Sequence, residues 1–97
     1  MTTANWFLYL IRTRHNALYT GITTDVAQRL VEHEGGKQGA KYLRAKGPLK
    51  IVYAVELGNR SLASKAEYRM KRLAKSQKEK IVAESLDGQS LLKFLDM

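Results

Sequence analysis

Two β-favouring runs stand four residues apart near the start of the chain, and this spacing limits the fold more than any other feature. Trp6–Arg12 (WFLYLIR) and Ala17–Ile22 (ALYTGI) are rich in aromatic and branched residues. Between them Thr13-Arg14-His15-Asn16 is polar, and Asn16 suits a left-handed turn position, so the pair reads as a β-hairpin. A third run, Leu49–Glu56 (LKIVYAVE), opens after Pro48 and sets Leu49, Ile51, Tyr53 and Val55 at period two, as for a strand with one buried face.

Helical patterns fill the gaps. Asp25 is placed to cap a helix with Gln28 at its third position, a variant of the capping box. Val26 and Leu30 form its buried side, Asp25, Arg29 and His33 form a second stripe, and Gly35-Gly36 end it. Asn59 or Ser61 opens a second helix whose apolar face carries Leu62, Ala66, Met70 and Leu73. Ser76-Gln77-Lys78-Glu79 predicts a capping box and a third helix through Ile81 and Val82. After Gly88, the residues Leu91, Leu92, Phe94 and Leu95 predict a short closing helix that packs back. The fold class is α+β, a small three-stranded antiparallel sheet flanked by helices in the order ββα-β-αα. The stretch from Gly35 to Pro48 is a long loop for so compact a chain, and long loops are often functional.

Composition narrows the chemistry. The 97 residues suffice for one modest core. With no cysteine, disulfide frameworks, thiolate zinc sites and cysteine nucleophiles are excluded together. Two histidines, His15 and His33, are too few for a histidine-rich metal site. No apolar run approaches the ~20 residues of a membrane span, and the stretch Trp6 to Ile11 is too short for a signal peptide. The expectation is a soluble, cytoplasmic protein. Lysine and arginine total 17 against 9 acids, a net charge of +8. Residues 1–36 balance at three and three, whereas residues 37–80 carry thirteen bases against Glu56, Glu67 and Glu79. So basic a middle segment suits a polyanion such as DNA or RNA.

Four positions could carry chemistry: Tyr9 and Tyr19 on the two hairpin strands, Arg29 on the first helix and Glu67 on the second. FLY at 7–9 and YTG at 19–21 resemble the two motifs of the GIY-YIG nucleases. Gly21-Ile22-Thr23-Thr24-Asp25, leading into Gln28-Arg29-Leu30 and then His33, is similar to that family's passage from hairpin to helix. Glu67 falls where the family keeps its metal-binding glutamate. The likeness covers about residues 6–80 and is greatest to the small stand-alone bacterial members. It implies one domain over 1–97, with a motif-bearing core over about 6–80 and a helical tail over 81–97.

That resemblance implies metal-dependent hydrolysis of phosphodiesters. Two-metal nucleases need several converging carboxylates, and the inventory fits a single-metal mechanism better. Glu67 would hold one Mg²⁺ or Mn²⁺, with waters and the phosphate completing its oxygen shell. Arg29 would add a fixed charged fork to the same phosphate. Tyr9 or Tyr19 would act on the attacking water as base or positioning hydroxyl, with Tyr19 slightly preferred because it directly precedes Thr20-Gly21. A phenol's ordinary pKa of ~10 requires nearby positive charge for a base role, and Arg29, the metal or a protonated His33 would supply it. The chain departs from the family pattern twice: Phe7 replaces a glycine, and Ile22 stands where some members carry a lysine. The second departure makes His33 the more plausible helper. Lys37, Lys41, Arg44, Lys46, Arg69 and Arg72 are the candidate nucleic-acid contacts, reading phosphates and not bases.

Taken singly, each residue has a plainer role. Tyr9 and Tyr19 would be core residues of a hairpin, Arg29 a surface charge, His33 a helix-end charge on the macrodipole, and Glu67 a partner of Lys71. As an ordered set they favour an endonuclease acting on DNA more than RNA, directed by structure more than sequence, with repair or recombination as the role the family suggests. The alternative is a nucleic-acid-binding module that cleaves slowly or not at all. A third reading is a regulatory domain whose basic surface meets an acidic partner. The residues leave the oligomeric state open, a monomer included.

Overall fold

A computed structural model describes residues 5–35, 43 and 46–97. The elements run β1 (Trp6–Arg12), β2 (Leu18–Thr23), α1 (Val26–Gly35), β3 (Lys50–Gly58), α2 (Arg60–Lys71), α3 (Lys75–Glu84) and α4 (Gly88–Phe94). The predicted hairpin is present. Asn16 takes a left-handed φ of 66°, and the Thr13 amide donates to the Ala17 carbonyl at 2.9 Å across the turn. The sheet order is β2-β1-β3, with both pairings antiparallel.

Because β1 is central and both faces of the sheet are covered, four consecutive residues, Leu8 to Ile11, are buried. Leu8 and Leu10 point to one face, where Tyr53, Ala66, Met70, Ile81 and Leu91 complete a core under α2, α3 and α4. Tyr9 and Ile11 point to the other, where they meet Leu43 and Leu49, with Val26 and Leu30 of α1 packed alongside.

Three sequence expectations need correction, and one open choice is resolved. The period-two stripe of β3 is broken, since Leu10 pairs with Tyr53 but the next residue, Ile11, pairs with Ile51. Val52 is thus the extra residue of a bulge. It sends Tyr53 and Val55 to the first core and Leu49 and Ile51 to the second. The buried face of α2 is Ala63, Ala66 and Met70, small residues that let the helix sit close to the sheet, while Leu62 is only half-buried and Leu73 lies beyond the helix. Of the two candidate caps for α2 it is Asn59 that serves, accepting from the Leu62 amide at 2.8 Å. Ser76 does not cap α3. That helix begins two residues earlier, with Ala74 at its cap, and Gln77 Oε1 accepts from the Ala74 amide at 2.9 Å. Glu79 is taken instead by the Arg12 guanidinium, through two bonds of 2.7 Å, and by Lys75 at 2.7 Å. A bidentate pair of opposite charges outcompetes a single backbone donor.

Candidate active site

The register of the hairpin decides which side chains meet. Tyr9 pairs with Gly21 and Ile11 with Tyr19, so both tyrosines emerge on the face that α1 covers. Gly21 is a matter of space. A Cβ at that position would overlap the Tyr9 hydroxyl and ring, so the missing side chain lets the phenol lie flat across β2.

α1 brings the second pair. Asp25 caps it, accepting from the Gln28 amide at 3.0 Å, and the helix then turns Arg29 and His33 toward the sheet. His33 Nε2 and the Tyr9 hydroxyl are hydrogen-bonded at 2.9 Å, and the edge of Tyr19 meets the same imidazole with ring centres 5.6 Å apart. Both Tyr9 and His33 are 1% exposed, whereas Tyr19 is half-buried. His33 is therefore not the solvated helix-end charge of the plainer reading. Nor does it supply positive charge: burial first, and the Arg29 charge second, lower its pKa and hold the imidazole neutral. Burial likewise pushes the Tyr9 phenol up to about 12, although Arg29 bonds to that side chain and draws it the other way. Arg29 itself is anchored by Glu32, whose Oε1 accepts from Nη1 at 2.9 Å, and this bond raises the pKa of the guanidinium. Electrostatic coupling to the neighbouring Tyr19 and to the Glu67 carboxylate also raises the Tyr9 phenol.

Glu67 stands one turn before Lys71 on α2, at 3.5 Å, with 26% of its side chain exposed. Among the described residues, no three acids or histidines come together as a ready cation cage. The donor set still fits a hard cation of the magnesium kind, which binds through one or two carboxylates and keeps several waters. Lys71, 53% exposed, is a weak competitor for that carboxylate, because surface pairs of this type contribute little.

The proposed phosphate contacts divide. Lys37, Lys41 and Arg44 lie outside the described residues. The Lys46 carbonyl accepts from the Arg14 amide at 3.0 Å and so ties its segment to the hairpin tip. Arg69 and Arg72 lie together along a groove on the outer side of α2, apart from Tyr9 and Tyr19. The sequence reading missed Gly21 as the slot for Tyr9, though a glycine opposite an aromatic on a paired strand is its visible signal. It also missed Glu32 as the anchor of Arg29, a partner three residues on in the same helix.

A hairpin that sets two tyrosines beside a helix arginine, with a glutamate on the following helix, is the arrangement of a GIY-YIG domain. The catalytic-domain profile of that family matches residues 5–80, and the chain belongs to it. Its relatives are small proteins of the same type. The UPF0213 protein YhbQ of Escherichia coli is 58% identical over 90 residues, which is 93% of this chain and 89% of that protein. The UPF0213 protein of Citrobacter koseri is 57% identical over 90 residues, with the same shares covered. The solution NMR structure of a UPF0213 protein from Bacillus halodurans shares the α+β fold, with a TM-score of 0.53 and 35% identity over 81% of this chain and 83% of that one. No helix among the described residues is long and apolar enough to cross a membrane.

Proposed function

We propose that this chain is a metal-dependent endonuclease that hydrolyses phosphodiester bonds in DNA, directed by substrate structure more than by sequence. The observation that carries the reading is the meeting of Tyr9, Tyr19, His33 and Arg29 on one sheet face, with the Glu67 charge acting on the same phenol. Glu67 would hold one Mg²⁺ or Mn²⁺ ion, which would supply charge stabilisation to the phosphoryl group and the leaving 3′ oxygen.

The remaining chemistry belongs to the side chains. Tyr19 is the phenol assigned to the attacking water, because it is half-buried where Tyr9 is enclosed. Its hydroxyl accepts a hydrogen bond from that water and holds it in line with the phosphorus. Tyr9 keeps its proton at neutral pH and, bonded to the neutral imidazole of His33, fixes the floor of the site. Arg29 stays charged, and Glu32 fixes one edge of the guanidinium so that the fork is presented to a phosphate oxygen without a search for its conformation.

The test is a substrate panel of supercoiled plasmid, single strand, branched duplex and RNA hairpin, each with Mg²⁺, Mn²⁺ or EDTA, run beside Glu67→Ala. The expected result is nicking of DNA that requires the metal and falls at least about 100-fold in the variant, the scale of a lost metal contribution. Equal cleavage by both chains sinks the Glu67 assignment. No cleavage by either, with binding that weakens steeply in salt, leaves the binding-module reading in its place.

A further inference from the structure

The strongest feature outside the tyrosine site is the groove along the outer side of α2. It is lined by Ser64, Lys65, Tyr68, Arg69, Arg72 and Met97, with a volume of about 710 Å³. Ser64, Tyr68 and Arg72 follow one another at i, i+4 and i+8, and Lys65 and Arg69 form the neighbouring row. Tyr68 is 65% exposed and Met97 39%, and among the described residues only Val31 is a comparably exposed large apolar side chain. The Arg72 guanidinium lies over the Tyr68 ring, 5.6 Å from its centre. Arg69 is braced by the Leu95 carbonyl at 3.1 Å. Among the described residues no acidic side chain lines the groove, since Glu67 turns to Lys71, while Asp96 lies in the adjoining groove beyond Arg69 and Arg72.

A solvated helix face needs cations but has no use for an open aromatic among them. Three bases around an exposed ring combine the two contacts that unpaired nucleic acid makes, phosphate pairing and base stacking. A duplex hides the faces of its bases within its own stack, and lysines and arginines alone serve to hold it. The ring therefore adds something only where a strand is unpaired. The groove also has room for a nucleotide, since small-ligand sites run to about 300–1,000 Å³.

We propose that this groove is a stacking subsite for one unpaired nucleotide, its base on the Tyr68–Arg72 pair and its phosphates on Lys65 and Arg69. The inference rests on the nuclease reading and sharpens it. α2 carries both Glu67 and Tyr68, so the substrate would be DNA with a single-stranded segment beside the bond that is cut.

The experiment is fluorescence anisotropy in EDTA with a labelled 12-nucleotide single strand and the blunt duplex of the same sequence. Tyr68→Ala should weaken single-strand binding about 5- to 100-fold, the range for one lost stacking contact, and change duplex binding less than about twofold. Tyr68→Phe keeps the ring and should bind as the parent does. Loss of affinity for both substrates alike, or for neither, overturns the proposal. So does a Tyr68→Phe chain that behaves like the alanine variant. The two readings fail separately. Absence of metal-dependent cleavage by the parent chain sinks the nuclease reading, while a selective Tyr68 effect keeps the groove. Cleavage lost with Glu67→Ala, beside single-strand binding indifferent to Tyr68→Ala, sinks the groove alone.

Discussion

On one face of the sheet Leu8 and Leu10 meet α2, α3 and α4, and one polar group buried with them, the Tyr53 hydroxyl, donates to the Leu86 carbonyl at 2.6 Å. On the other face Tyr9 and Ile11 meet α1 and the residues leading into β3, and they share that space with an imidazole and a guanidinium. The first face joins eight buried residues of the described chain and the second four, so stability resides mainly in the first. The thinner face takes in an imidazole and a guanidinium that have partners. On the deep face, by contrast, Thr20, opposite Leu10, buries its Oγ1 without a hydrogen-bond partner among the described residues, at a cost in stability. The difference teaches that a chain of 97 residues, with one modest core, sets the tyrosine, histidine and arginine cluster on the thinner layer and draws from the fold-holding layer the α2 glutamate, Glu67.

The largest effect that bears on this division comes from a pair of variants. Met70→Ala empties part of the deep core and should cost about 2–5 kcal/mol in urea unfolding, while cleavage per folded molecule stays as it was. Tyr9→Phe removes only the hydroxyl that meets His33, and should cost about 1–3 kcal/mol because the imidazole loses a buried partner. Its cleavage should fall well beyond what that loss of stability explains. If Met70→Ala lowers cleavage per folded molecule as much as Tyr9→Phe does, the two faces are not separate.

Gly21→Ala is next. Left-handed backbone does not require this glycine, and among the described glycines the positive φ falls at Gly58, at 101°. The added methyl would instead collide with the Tyr9 phenol, and overpacking of this kind costs about 1–3 kcal/mol. Against a Tyr9→Leu background the same substitution should be nearly neutral, since alanine is otherwise the better strand residue. A cost that is unchanged by the loss of the phenol would show that the close fit across β1 and β2 has another cause.

Much of this was legible in the sequence, and what was not has physical reasons. The hairpin could be read because Asn16 and the polar turn are local signals, and the helix order because Asp25 and Asn59 cap within three residues. The bulge at Val52 was hidden, since it belongs to the pairing of β3 with β1 and leaves no mark in β3 alone. Glu79 was misassigned for the same reason: its partner Arg12 is 67 residues away, on another element. In the site, the order of Tyr9, Tyr19, Arg29 and Glu67 was visible, but the state of His33 was not. Charge on an imidazole depends on burial, and His33 is buried by a sheet that its own helix pattern does not reveal.

The smallest effect separates the two faces by their tyrosines. Tyr9 and Tyr53 lie one on each face, and burial pushes each phenol from 10.0 up to about 12. A folded-state pKa above the unfolded value means that the stabilising contribution is fully present below pH 10 and is lost as pH rises toward 12. Each tyrosine then contributes a slope of up to about 1.4 kcal/mol per pH unit in that window. The lysines titrate there too, but they are common to parent and variant and cancel in the comparison. Urea midpoints measured from pH 9 to 12 should fall less steeply for Tyr9→Phe and for Tyr53→Phe than for the parent, by similar amounts. If only Tyr53→Phe flattens the curve, Tyr9 meets solvent before the chain unfolds as a whole, and the thin face opens on its own. That result would recast the enclosure of Tyr9 and His33 as one state of a site that breathes, and would return Tyr9 to contention with Tyr19 as the phenol that meets the attacking water.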